Sequence, residues 1–266
     1  NEFKFQIFSS PMSNQPLVLE TLLKHSTWLN GILVPRTAIE KTLAHYIQPL
    51  VATNDDRIYP VSILGSCTAL KFRERNIVIC TRHQLRGWDP KQIALLTRDG
   101  KYAVTSGGVR HFQEINETDY HDLAAFDFTE PCNEHQTLHE RFFNFNELPP
   151  DVLSNHIICL LAYGYPYEDQ KYELAEKNHL GHLKSVVMCE VDGPNQPADE
   201  ALMRLRPINP LGFDPDGMSG GGVFVLQIVD GAPHSYFSGI ITRAGRDHVH
   251  IVKAPYIRRF IDTWCK

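Results

Sequence analysis

The sequence predicts an all-β protein of sandwich or barrel type, with helices only near its ends. Three observations predict it. Short apolar runs rich in Val, Ile and Leu recur from about residue 58 onward, and turn-forming clusters separate them. Helical spacing of apolar residues is confined to stretches before residue 51 and after residue 254. Many short strands punctuated by turn signals are the pattern of a sandwich or barrel.

Residues 1 to about 35 carry weak signals, and Leu17 to Leu23 reads equally as a helix turn or a strand. A better-marked helix is expected after Pro35. Thr37 is placed as its N-cap, with Glu40 three residues on to complete a capping box. Ile39, Leu43, Tyr46, Ile47 and Leu50 then fall on one face. Strands begin with Val61 to Leu64, interrupted by Gly65-Ser66-Cys67. Ala69 to Phe72 and Ile77 to Thr81 flank the charged turn Arg73 to Asn76, which reads as a hairpin. Ile93 to Thr97 and Lys101 to Thr105 flank Asp99-Gly100, a second hairpin. Leu123 to Phe128 follows. After the stretch holding Pro131, Pro149 and Pro150 come Ile157 to Ala162, Leu183 to Val191, Val223 to Val229, Tyr236 to Thr242 and Val249 to Val252. The final segment from Pro255 to Trp264 has helical spacing at Ile257, Phe260, Ile261 and Trp264. The proline-containing stretch near 145–152 divides the strands into two halves. No internal repeat or low-complexity tract is visible.

Composition narrows the function classes. The 266 residues, 42% hydrophobic and 21% charged, suit a soluble globular chain of one or two domains. A net charge of −5 argues against non-specific nucleic-acid binding. No apolar run approaches the roughly 20 residues that span a bilayer. Neither nucleic acid nor membrane is therefore expected as a partner. The six cysteines form no C-x-x-C pair and no zinc spacing. Cys80, Cys159 and Cys189 sit in apolar runs, as small buried hydrophobes do. This usage points to a reduced, cytoplasmic protein, although an even cysteine count leaves disulfides open. The first four residues lack a signal-peptide pattern, and the first is Asn rather than Met, which leaves a removed leader open.

The stretch that carries chemistry is Asp214-Pro215-Asp216-Gly217-Met218-Ser219-Gly220-Gly221-Gly222, followed at once by an apolar strand. Glycines permit backbone conformations that expose a serine hydroxyl and aim neighbouring N–H groups at one point. Acyl transfer needs that pairing of a nucleophile with donors for an oxyanion. A solvated serine in a β-turn is the plainer reading of the same residues. A serine nucleophile also needs a base and an orienting carboxylate. His83, directly after the strand Asn76 to Thr81, is the strongest base candidate. Asp122, at the head of Leu123-Ala124-Ala125-Phe126, is the best carboxylate, with Asp119 and Asp127 as rivals.

Taken together, these segments resemble trypsin-like (chymotrypsin-fold) serine proteases, in the style of non-zymogen bacterial-type members. Gly65 to Leu70 and Val78-Ile79-Cys80-Thr81-Arg82-His83 resemble the strands leading to the family's histidine. Asp122-Leu123-Ala124 resembles its Asp-[Ile/Leu]-Ala element, and Gly217-Met218-Ser219-Gly220-Gly221 its nucleophile motif. Ser238 to Thr242 resembles the strand that lines the substrate backbone. The resemblance implies two packed antiparallel β-barrels with an N-terminal helical extension and a C-terminal helix. It implies an extension over 1–57, a first barrel over about 58–148, a second over about 149–254, and a helix over 255–265.

The implied activity is that of a serine endopeptidase with His83, Asp122 and Ser219 as triad. The Gly217 and Ser219 N–H groups would form its oxyanion hole, and Phe213, Thr242 and Ala244 its substrate pocket. No metal or cofactor is implied, and the partner is a protein or peptide substrate. A catalytically silent binding protein of the same fold, or a protease module governed by a regulatory protein partner, are the alternatives. Three departures stand out: Gly222 replaces the usual proline, no cysteine closely follows His83, and Met218 replaces the aspartate of digestive members. Without that aspartate a newly cut N-terminus has no partner, so Met218 is expected to pack in apolar space. Phe213 brings no charge, so an apolar or small residue is expected in the primary pocket.

Overall fold

The computed structural model describes residues 15–57, 60–112, 118–169, 171–173, 179–181 and 183–264. Its strands in chain order are β1 (Ser26–Leu29), β2 (Ile32–Pro35), β3 (Ile47–Thr53), β4 (Val61–Phe72), β5 (Arg75–Thr81), β6 (Ile93–Leu96), β7 (Ala103–Thr105), β8 (Gly108–His111) and β9 (Leu123–Asp127). They continue with β10 (Phe143–Asn144), β11 (Ile157–Gly164), β12 (Lys171–Glu173), β13 (His179–Gly181), β14 (Ser185–Val191), β15 (Leu202–Pro207), β16 (Gly222–Val229), β17 (Ala232–Ala244) and β18 (Val249–Lys253). The α-helices are α1 (Gln15–Lys24), α2 (Ile39–Ala44), α3 (Thr129–Glu134), α4 (Gln136–His139) and α5 (Ala254–Asp262).

The strands form two main sheets, as a chymotrypsin-like fold requires. One runs β7-β6-β3-β4-β5-β9-β8 and curls into a half-barrel, with β10 added on β4. The other runs β16-β11-β14-β15-β18-β17 and closes into a six-stranded barrel through β16–β17 pairing. Each has its own apolar interior. Leu50, Val78 and Phe126 fill the first, and Leu160, Val225 and Ile251 the second. A third core lies between them, where Phe224 meets Phe143 edge-on at 5.2 Å and Phe237 meets Phe145 at 5.1 Å. Such edge contacts follow the ring quadrupole. Helix α5 buries Ile257, Phe260 and Ile261 in this core, as their spacing predicts. All five described cysteines are free and buried, and burial pushes the Cys132 thiol up to about 11.

The N-terminal region departs from the expected helical extension. Ile39 and Leu43 are buried on α2 as predicted, but the helix stops at Ala44 and Ile47–Thr53 is a strand of the first sheet. Pro49 explains the difference. It has no N–H for a helix ladder, and it drives the preceding residue toward extended geometry. The Thr37–Glu40 capping box does not form, because the chain already enters a 3₁₀ turn at Arg36, placing Thr37 inside the turn. The β1–β2 hairpin joins the other sheet, with β1 running parallel to β17. Gly65 does not end its strand. Its φ of 125° lets β4 bend there while its register against β3 shifts. Asp122 ends a 3₁₀ turn, Asp119–Asp122, rather than opening the strand.

Lys184, just before β14, reaches back from the second sheet to donate to the Ala44 carbonyl, and it lies 5.2 Å over the Tyr165 ring. Burial, and then the Arg141 guanidinium, lower its pKa to about 8 from 10.5. The unfolded chain therefore holds this proton more tightly than the folded one. Below about pH 8 the buried charge opposes folding; between about 8 and 10.5 stability rises with pH as that penalty is relieved. Urea unfolding of the wild type and Lys184→Met across this range reads the effect. The difference is expected to move in favour of the wild type by up to about 3 kcal/mol, and a pH-independent difference would contradict it.

Candidate active site

Pairing of β5 with β9 sets Thr81 opposite Leu123, so the turns that follow Thr81 and precede Leu123 lie side by side. His83 sits on the first turn and Asp122 on the second. The His83 backbone N–H donates to Asp122 Oδ1 at 2.9 Å, and its Nδ1 to Asp122 Oδ2 at 2.5 Å. Two bonds to one carboxylate fix both the turn and the ring. A carboxylate only accepts, so Nδ1 is the nitrogen that donates to it, and in the neutral ring Nε2 would carry the lone pair. Nε2 lies 3.4 Å from Thr81 Oγ1, but that hydroxyl already donates to Gln84 Oε1 at 2.7 Å. Among the described residues no other group donates to Nε2.

Ser219 lies in the loop entering β16. Gly217 and Gly220 flank it with φ of 95° and 81°, conformations that favour glycine. Space makes the same demand. A Cβ on Gly217 would fall 2.6 Å from the Tyr165 carbonyl, and one on Gly220 2.2 Å from that of Ser66. First-sheet hydroxyls hold the loop. Ser66 Oγ donates to Gly217 O at 2.7 Å and accepts from the Tyr165 N–H at 2.7 Å. Thr68 Oγ1 donates to Gly220 O at 2.9 Å.

The loop's peptides also fix its N–H groups. Asp216 O accepts from the Tyr167 N–H at 2.7 Å, and Met218 O from that of Gly221 at 2.9 Å. In a trans peptide the N–H points opposite to the carbonyl. The N–H groups of Gly217 and Ser219 are therefore turned away from these partners, and among the described residues they donate to none. Those of Met218 and Gly220 are engaged by Pro215 O and Ile241 O. The Met218 side chain is fully buried in the second-barrel core, against Gly164.

The Ser219 hydroxyl donates to the Thr242 carbonyl at 3.1 Å rather than to His83. Thr242 sits where β17 shifts register against β18, a bulge of the kind that re-aims backbone groups. Its own hydroxyl donates to Asp119 Oδ2 at 2.9 Å. Asp119 is buried and also pairs with Arg243, so it braces β17 from the first half of the chain. Sequence reasoning weighed Asp119 only as a rival to Asp122; the signal was two carboxylates three residues apart on one turn. Asp127, the other rival, pairs with Arg75 and caps Thr129.

Of the expected pocket residues, Thr242 meets Ser219. Phe213 instead lines an open cavity of ≈ 710 Å³ with Tyr167, Glu168, Asp216 and Arg246, which includes neither Thr242 nor Ala244. Ala244 ends β17, packed on the second-barrel core. No group of three His, Cys, Asp or Glu side chains among the described residues is arranged to hold a metal. No described helix is long and apolar enough to cross a membrane.

The hydroxyls of Ser66 and Thr68 are fully buried, and each satisfies a loop carbonyl. Removing one leaves a buried acceptor unpaired, a loss of about 1–3 kcal/mol. Urea unfolding of Ser66→Ala and Thr68→Val is expected to show it; a loss under about 0.5 kcal/mol in both would mean that these bonds do not hold the loop.

No protein-family model matches the chain, and no curated protein does. Solved structures do match. Human heparin binding protein superposes with a TM-score of 0.50 at 10% identity, over 84% of this chain and 92% of that one. A double mutant of human heparin binding protein gives 0.50 at 11% identity, over 83% and 91%. At such identities the likeness establishes the fold alone: this chain has the architecture of the chymotrypsin-like proteases, and its chemistry has to be argued from its own residues.

Proposed function

We propose that the chain is a serine endopeptidase. Ser219 attacks the peptide carbonyl, and His83 Nε2 takes the hydroxyl proton and returns it to the leaving amine. Asp122 holds the ring tautomer and stabilises the imidazolium. The Gly217 and Ser219 N–H groups receive the oxyanion, and water then releases the acyl group by the same route. One observation carries the reading: among the described residues the two N–H groups flanking Met218 donate to no acceptor, while those of Met218 and Gly220 are engaged. A mere turn has no need of that selection, whereas a tetrahedral intermediate does.

The hydroxyl of Ser219 must leave Thr242 O to reach His83. Catalytic hydrogen bonds often form only with substrate bound. Phe213, Thr242 and Ala244 remain the proposed pocket, suited to an apolar or small side chain. Met218, buried and uncharged, supports a protease that needs no newly cut N-terminus to order its oxyanion loop.

A binding protein of the same fold is the second reading. The Ser219–Thr242 bond favours it, and so do the names of the two structural neighbours, which record binding rather than hydrolysis. A net charge of −5 speaks against a polyanion such as heparin as its ligand. A fluorophosphonate probe separates the readings. Covalent labelling of the wild type is expected, lost in Ser219→Ala together with peptide cleavage, by roughly 10⁴-fold or more. A wild type that neither labels nor cleaves a peptide library would favour the binding protein.

A further inference from the structure

We infer that Gln84 is a positioning residue that locks the histidine turn onto the nucleophile's own backbone, an inference that rests on the serine-hydrolase reading. The residue follows His83 directly and is neutral; with Thr81 it makes the Thr-x-x-Gln pattern of a capping box, which marks the turn but not the contact with Ser219. In the fold its side-chain amide lies between the two halves of the triad. Oε1 accepts from the Thr81 N–H at 2.9 Å and from the Thr81 hydroxyl at 2.7 Å. Nε2 donates to the Ser219 carbonyl at 2.8 Å and the Ser66 carbonyl at 3.1 Å, with Leu64 O at 3.4 Å.

The orientation of this amide is dictated by its surroundings. Its oxygen faces only donors and its nitrogen only carbonyl oxygens, so a flipped amide would set oxygen against oxygen. Space has been cleared for it on both sides. A Cβ on Gly65 would lie 2.5 Å from Nε2, and one on Gly220 2.8 Å from Oε1. No similar side chain replaces it. Glutamate keeps the shape but turns an acceptor toward the carbonyls, and methionine keeps the length but bonds to neither side.

The location gives the lock its function. His83 and Asp122 lie on turns of the first sheet and Ser219 on the loop that enters the second, so the His83-to-Ser219 distance depends on how firmly that loop is registered on the first sheet. Gln84 bonds both the base of the His83 turn and the Ser219 residue itself. Misplacement of reacting groups by about 1 Å can cost on the order of 10²-fold in rate.

The test uses the full chain with Gln84→Met and Gln84→Glu, each checked for cooperative urea unfolding. The probe is a small fluorophosphonate, so that the maximal labelling rate and the concentration for half-maximal labelling are read separately. Both variants are expected to lose at least tenfold in maximal rate, with the half-maximal concentration unchanged. Labelling at the wild-type rate by a folded variant would overturn the inference. A second readout needs no nucleophile: the downfield proton resonance of His83 Nδ1, held by Asp122. It should be sharp in the wild type and broadened or shifted in whichever variant folds. If the wild type does not label, the hydrolase reading falls and this resonance alone decides; an unchanged line in the variants would show that Gln84 does not position His83.

Discussion

Two buried hydroxyls of one strand, Ser66 and Thr68 on β4, satisfy the carbonyls of Gly217 and Gly220 across the junction of the two sheets. Much of the site depends on this contact. The Ser219 loop belongs to the second barrel by chain order, yet its carbonyls find their hydrogen-bond donors in the first. Buried carbonyls are rarely left unpaired, so the loop cannot drift from β4 without exposing a deficit. Left-handed glycines at 217 and 220 permit the close approach, and the same backbone path leaves the Gly217 and Ser219 N–H groups without an acceptor among the described residues. The shape of the Ser219 loop and the packing of the two sheets are here one structural problem with one solution.

Asp119 and Thr242 form the counterpart of this contact from the other direction. There a first-half carboxylate receives the hydroxyl of a second-barrel strand. The carbonyl of the same Thr242 accepts from the Ser219 hydroxyl. Asp122 and Asp119, three residues apart on one turn, thus serve different masters. One clamps the histidine, and the other braces the strand beside the nucleophile. Beneath both, the aromatic cluster around Phe224 fills the space between the sheets and gives these polar contacts a fixed platform.

Strands with clean apolar runs and marked turns, such as β5, β6, β9 and β16, were legible in the sequence, because period and turn chemistry are local. The three candidate catalytic residues were legible for a related reason: each sits at a strand end with a distinctive neighbour. Other features depend on partners far along the chain. Ile47–Thr53 carries a helix-like apolar spacing, and only Pro49 and the pairing with β4 and β6 make it a strand. The β1–β2 hairpin finds β17 some two hundred residues later, in a parallel register that no local pattern encodes. Strand β15 alternates hydrophobes with arginines over only Met203 to Arg206, too short a run to stand out until β14 and β18 flank it. Gln84 is the extreme case. Its capping box with Thr81, three residues away, is local, but its bond to Ser219, 135 residues away, exists only in three dimensions.

The central claim is that backbone donors and a carboxylate-held histidine converge on Ser219. An experimental structure of the chain reacted with a peptidyl phosphonate tests it most directly. The account predicts phosphorus bonded to Ser219 Oγ and a phosphonyl oxygen about 2.7–3.1 Å from the N–H groups of Gly217 and Ser219. His83 Nε2 should face the adduct, with the Ser66 and Thr68 bonds to the loop intact. An adduct whose oxygen points away from those two N–H groups, or one formed on another residue, would contradict it.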